Sequence, residues 1–184
     1  MGGSIMSIEN KNLKFVKYNE NNLKQQSFIT EIKEDKIISS YIFNLAQDVT
    51  KSIDEGANCI GFIAEDISIN EYVGLCTIRS QGYDRDTLSI EYAVHSNYRN
   101  SEHKYGRNIL RNLTNLLFET ENFKKAVLEI KPENISSIKA AGKAGFTVDY
   151  ELYEIFQNEG YYYIPYSKNN PYYKLPGVTK VKTK

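Results

Sequence analysis

An α+β (mixed α/β) fold is predicted: a central, mostly antiparallel sheet of about six to seven strands with flanking helices. Three observations carry that expectation. Seven short segments alternate, or run apolar, over strand lengths. Three of them, at 59–65, 71–80 and 87–94, follow one another with short polar connections, as in an antiparallel meander. A strand, an amphipathic helix and another strand then span 87–132, the pattern of a crossover.

The elements follow in order. "NLKFVKY" (12–18) alternates apolar and polar residues, as a half-buried strand does. Residues 19–56 read as two helices broken near Glu34–Asp35, with Ile42, Leu45, Ala46 and Val49 on one face and Gly56 as the stop. "CIGFIAE" (59–65), "EYVGLCTIRS" (71–80) and "TLSIEYAV" (87–94) are the meander strands. Ile109, Leu110, Leu113, Leu116 and Leu117 recur on one face of a helix. "KAVLEIKP" (125–132) is a strand apolar enough for mid-sheet. Asn134 caps a short helix over "ISSIKAAGKA", which Gly145 ends. "FTVDYELYEIF" (146–156) and "YYYIPYSK" (161–168) read as two strands joined by "QNEG", and 169–184 as a C-terminal loop with a basic end.

The chain has 184 residues, which suits one domain, and at 41% hydrophobic it can bury a core. Lys+Arg and Asp+Glu are equal at 23 each, so there is no electrostatic footprint for nucleic acid or an anionic membrane surface. A small molecule or a protein segment is the expected partner. Cys59 and Cys76 sit in apolar stretches and read as buried free thiols. With His95 and His103 the only histidines, no metal site is expected. The N-terminus lacks a basic region followed by an apolar run, and no stretch is long enough to span a membrane, so a cytoplasmic protein is expected. Residues 1–10 read as a tail; Met1 to Ile5 are compatible with a vector remnant, with Met6 as an alternative start.

Two segments carry chemistry. "YRNSEHKYGRNIL" (98–110) joins a strand to a helix with Gly106 at the joint, where backbone N–H groups can hold a phosphate. "ENISSIKAAGKAGF" (133–146) is a capped helix returning to the sheet. With the element order, these segments resemble the GNAT acetyltransferases, which move an acetyl group from acetyl-CoA to an amine. The second segment resembles the pattern N-x-x-S-x-x-x-A-x-K-x-G-F at Asn134, Ser137, Ala141, Lys143, Gly145 and Phe146, as in the branch that includes ribosomal-protein N-terminal acetyltransferases. The first resembles the family's phosphate loop, Gln/Arg-x-x-Gly-x-Gly/Ala, only at Gly106. Lys104 stands for the first glycine and Ser101 for the Gln/Arg, while Tyr98-Arg99 lies two residues early, as an insertion would place it.

The resemblance covers roughly residues 11–168, a single domain, and implies a splayed strand pair with the pantetheine arm in the gap. It implies acetyl-CoA as co-substrate, met by the main chain of Ala93 and Val94 and by the loop residues His103, Lys104, Tyr105, Gly106 and Arg107, with Asn134 at the next helix. Many members carry a tyrosine acid at the position of Ala141; this branch implies Ser137 instead, against a helix or CoA hydrogen bond as the plainer role. Glu91, an acid in mid-strand on the face of Ser89 and Ala93, is the candidate base, with ion pairing on a half-exposed face as the alternative and His95 as rival. Six tyrosines at 160–173 suit a packed edge strand or the lining of an acceptor pocket.

The expected function is N-acetyl transfer by direct attack of a primary amine, on a small molecule or a protein N-terminus. The alternative is a CoA-binding or regulatory module that kept the fold without transfer. The sequence leaves a homodimer open.

Overall fold

The computed structural model describes residues 12–42, 44–51, 59–80 and 86–174. In it β1 (Leu13–Val16), β2 (Cys59–Asp66), β3 (Glu71–Arg79) and β4 (Thr87–Val94) form a continuous antiparallel run. β5 (Lys125–Ile130) pairs parallel with β4, β7 (Ile164–Asn169) pairs antiparallel with β5, and β6 (Thr147–Val148) closes the order β1-β2-β3-β4-β5-β7-β6. The meander and the parallel crossover therefore stand as expected.

The one parallel pair among the described residues is short. Only Thr87–Ser89 of β4 face Lys125–Val127 of β5. Beyond Ser89 the strands part: β4 stays on β3 as far as Val94, while β5 stays on β7 as far as Ile130. A V-shaped gap opens between them.

Helices cover both faces. α4 (Tyr105–Thr120) and α5 (Ile135–Ala144) pack on the face of Leu88 and Ile90, where Ile109, Leu110 and Leu113 are fully buried. The helices before β2 pack on the face of Ile63, Leu75 and Ala93. Among the described residues there are three of them rather than two: α1 (Leu23–Glu34), α2 (Lys36–Tyr41) and α3 (Leu45–Lys51). The expected break falls at Asp35, whose carboxylate accepts from the Ile37 and Ile38 N–H groups and so starts α2. Ile42 ends α2 in extended geometry, so it does not share a helix with Leu45. Gly56 and residues 81–85 lie outside the described residues. Cys76 is fully buried as expected, but Cys59 is only half-buried.

The last expected hairpin is corrected. After Thr147–Val148 the chain forms α6 (Tyr150–Glu159), and "QNEG" is that helix's last turn rather than a hairpin loop. The Asp149 carboxylate accepts from the Leu152 N–H at 3.2 Å, and Gly160 closes the helix at φ 77. Leu152, Tyr153 and Phe156, at i, i+1 and i+4, form its covered face. A local cap thus overrides a segment whose aromatics favour strand.

Asp149 also meets the Lys125 ammonium at 2.8 Å, and both side chains are mostly buried. Burial pushes its carboxyl up, but Lys125, the Leu152 N–H and the Ser167 hydroxyl outweigh that and hold it below the ordinary value. A depressed carboxylate stabilises the fold above its unfolded pKa and loses that contribution as pH falls through the folded pKa. Asp149→Ala should therefore cost about 3 kcal/mol at neutral pH, since it removes a cap and strands a lysine. The gap from wild type should shrink as urea melts are taken down toward about pH 3.

Candidate active site

A cleft of about 640 Å³ passes through the V. On the α1–α3 side its wall is Ile37, Ile38, Tyr41 and Ile42; on the other it is Tyr92 with the starts of α4 and α5. The cavity thus joins the two faces of the sheet, and two reactants can meet in it from opposite sides.

Strand register decides which main-chain groups face the gap. The His95 N–H donates to the Val73 carbonyl at 2.9 Å, and Ala93 sits opposite Leu75. In an antiparallel ladder alternate residues turn their N–H and C=O the same way. Ala93 therefore bonds toward β3, and Tyr92 and Val94 present their main chain to the gap. That corrects the expectation for Ala93 and adds Tyr92. The Val94 carbonyl already accepts from Arg99 Nε at 3.0 Å, and the Arg99 guanidinium continues to the Asp35 carboxylate. Lys131 donates to the Ser40 carbonyl at 2.9 Å. α2 is thus tied to the chain beyond β4 at one end and beyond β5 at the other.

The loop before α4 is a cradle of donors. The first bond of α4 runs from the Asn108 N–H to the Lys104 carbonyl, so the N–H groups of Tyr105, Gly106 and Arg107 have no acceptor among the described residues. Lys104 is left-handed at φ 52, ψ 44, and the turn into right-handed Tyr105 makes a concave anion nest. Ser101 Oγ is buried here without a hydrogen-bond partner. Lys104 and Arg107 line the cleft here, and Lys139 and Lys143 line it from α5, against Glu133 as the one carboxylate among the described residues that line it. Three donors, an orphaned hydroxyl and four cations fit a diphosphate, which supports the expected place of CoA. Sequence reading did not assign Lys139 and Lys143 to the cofactor, though their i, i+4 spacing puts them on one face with Ala140.

The remaining loop residues divide. Tyr105 turns its ring into the core, and its hydroxyl donates to Asp66 at 2.7 Å; burial and that carboxylate push the phenol well up. It anchors the cradle through its side chain and offers only its N–H. His103 stacks on Tyr105 and does not line the cleft. Gly106 has no space to spare: an added Cβ would lie 3.3 Å from Tyr92 Cε2 and 3.7 Å from Ala140 Cβ.

On α5, Asn134 accepts from the Ser137 N–H at 3.2 Å, as an N-cap should. Ser137 Oγ faces the cleft and accepts from the Tyr92 hydroxyl at 3.3 Å. Ala141 is wholly buried in the core. Glu91 lies on the α1–α3 face, off the cleft wall; its carboxylate is 3.2 Å from Thr77 Oγ1 and 3.5 Å from Arg79 Nη2. The ion-paired alternative for Glu91 is therefore met. His95 is buried, with Nε2 against Glu31 at 3.0 Å and Nδ1 accepting from the Asn97 N–H at 3.3 Å. It ties α1 to the end of β4 and has no outlet to the cleft. None of the tyrosines at 161–173 lines the cleft.

Comparison with known proteins agrees with this geometry. Residues 15–147 match the family model of the acetyltransferase (GNAT) domain. No curated protein matches the chain in sequence. Among solved structures, a GNAT-family acetyltransferase of Bacillus anthracis is similar at TM-score 0.66 and 18% identity, over 88% of this chain and 96% of that one. A proposed ribosomal-protein-serine acetyltransferase of Vibrio cholerae is similar at 0.65 and 17%, over 90% and 96%. Spermidine N-acetyltransferase of Vibrio cholerae, in complex with CoA and spermine, is similar at 0.65 and 15%, over 88% and 97%.

The left-handed residue gives a direct test of the cradle's backbone. Lys104 has a Cβ where glycine carries no penalty. Lys104→Gly should leave the fold as stable or raise its stability by up to about 1 kcal/mol in urea melts, the relieved strain offsetting the added freedom of the unfolded chain. Lys104→Ala, which keeps the strain, should show no gain.

Proposed function

Because the chain belongs to the GNAT acetyltransferase family, we propose a division of labour among its own residues. The enzyme transfers an acetyl group from acetyl-CoA to an amine. The nest at Lys104–Arg107 and the cations Lys139 and Lys143 hold the CoA phosphates. The main chain of Tyr92 and Val94 orients the pantetheine arm along the open edge of β4. The single observation that carries this reading is the cleft through the V, which joins a phosphate cradle on one face to an open wall at α2 on the other.

Acetyl-CoA supplies an activated acyl carbon, and a neutral amine reaching it from the α2 side attacks directly, with no covalent enzyme intermediate. Glu91 sits on that side of β4. Held in place by Thr77 and Arg79, its carboxylate takes the amine's proton by way of intervening water. Ser137 serves the departing sulfur. The acceptor is a primary amine on a small molecule or a protein N-terminus. A polyamine acceptor is consistent with the spermidine enzyme's likeness, and a protein acceptor with that of the ribosomal-protein enzyme. One domain spans 11–168, and a cytoplasmic setting suits it; among the described residues no helix is long and apolar enough to cross a membrane.

Calorimetry with acetyl-CoA, followed by a thiol-release assay over polyamines, aminoglycosides and peptides with free N-termini, tests the proposal. Binding in the micromolar range and turnover on one class are expected. Binding without turnover on any amine would favour the regulatory module. Glu91→Gln should lower turnover roughly 10²-fold and leave CoA affinity within about twofold. Unchanged turnover across pH 6 to 9 would remove Glu91 from the mechanism.

A further inference from the structure

We propose that Tyr92 and Ser137 form a two-hydroxyl proton relay to the leaving thiolate, with Tyr92 as the residue that aims and recharges Ser137. This deepens the acetyl-transfer reading above and rests on it.

The argument begins with where hydroxyl protons go. Elsewhere in the described helices, hydroxyls commonly spend their proton on the preceding turn: Ser39 and Ser40 on carbonyls three residues back, Thr114 and Thr120 on carbonyls four back. Ser137 makes no such bond. Its Oγ instead accepts from the Tyr92 hydroxyl at 3.3 Å. A serine oxygen that accepts on one side keeps its own proton for another partner. Both residues line the cleft.

The tyrosine is held for this task. Its main chain faces the gap, and its ring lies under Gly106, where an added Cβ would stand 3.3 Å from Cε2 and 3.7 Å from the hydroxyl. Burial pushes the phenol up, which keeps it protonated through the working range. Ala141, on α5, is wholly buried and offers no hydroxyl. In this chain the phenol comes from β4 instead of α5.

The step balances. The amine nitrogen forms its bond to the acyl carbon, and the carbon–sulfur bond breaks. Ser137 gives its proton to the sulfur as the electron pair arrives there, and takes the proton of Tyr92. The phenolate recovers a proton from water, and Glu91 returns the proton it took from the amine to water, so the cycle closes.

Tyr92→Phe and Ser137→Ala test this, since each removes one oxygen and the phenyl ring keeps its packing. Each should lower kcat roughly 10- to 100-fold with the KM for acetyl-CoA within about threefold, and the double variant should be no worse than the poorer single. Additive losses, or an unchanged kcat for Tyr92→Phe, would overturn the relay. A second arm needs no acceptor: calorimetry of CoA against desulfo-CoA, from about pH 7 to about pH 10. A donor aimed at the sulfur should raise the preference for CoA by about tenfold as the thiol ionises, and both variants should flatten that rise. A rise that survives in both variants overturns the relay. A wild-type protein inert to every amine fails the parent reading alone, because the calorimetric arm still decides the relay.

Discussion

Everything at the site depends on one interrupted ladder. β4 and β5 pair over three residues and then separate, although each goes on pairing with its other neighbour. Side chains at the point of departure favour the break. Continuing the register Ser89↔Val127 by two residues would set Glu91 beside Glu129, two carboxylates on one face of adjacent strands. Separation leaves the inward main-chain groups of Tyr92 and Val94 without a strand, and buried backbone groups need partners. Arg99 satisfies one of them, the Val94 carbonyl, and the others are what an extended arm lying between the strands could use. The gap therefore works as an open strand edge inside a sheet, protected from other chains by α2 on one face and by α4 and α5 on the other.

The charge distribution follows the same logic. The formal net charge is zero, yet Arg99, Lys104, Arg107, Lys139 and Lys143 converge on one cleft against Glu133. Arg99 is committed to Asp35, whose carboxyl is held below its ordinary value by the α2 N–H groups and that guanidinium, despite burial pushing it up. It is a strut. The other four are spread over a helix start and one helix face, so no sequence window shows a basic run. The concentration of positive charge on the cleft is a property of the fold, and overall composition misses it.

What was legible in the sequence was what local physics dictates. The strands at 12–18, 59–65, 71–80, 87–94 and 125–132, the apolar face of α4 and both caps of α5 follow from periodicity and capping, and they stand within a residue or two, whereas β7 starts three residues into 161–168 and only Thr147–Val148 of 146–156 is strand. α6 was missed because its aromatics read as strand, while the Asp149 cap that decides the matter looks like an ordinary turn residue. The direction of Ala93's main chain depends on register with β3, which no single strand reveals. The Glu91–Arg79 pair and the Tyr92–Ser137 contact join positions 12 and 45 apart, and are written only in the tertiary structure. The phosphate loop lies between these cases: its place was legible, but its conformation was not.

That loop also shows why a poor motif need not mean a lost function. Its donors are main-chain N–H groups, which any residue except proline supplies. Glycine serves such a loop in two ways, by permitting positive φ and by leaving room. At Lys104 only the first is at stake, and a lysine at φ 52 adopts the same geometry for a cost of about 1–2 kcal/mol. At Gly106 room is at stake: a side chain would press on the Tyr92 ring. Glycine is thus absent where a side chain costs modest strain and present where one would press on the wall of the cleft. Strain at Lys104 is countered nearby by the buried Tyr105–Asp66 bond, which pins the first residue of α4 to the end of β2. The buried anchor and the packed glycine thus leave the N–H groups of Tyr105, Gly106 and Arg107 open to an anion although the loop departs from the family pattern.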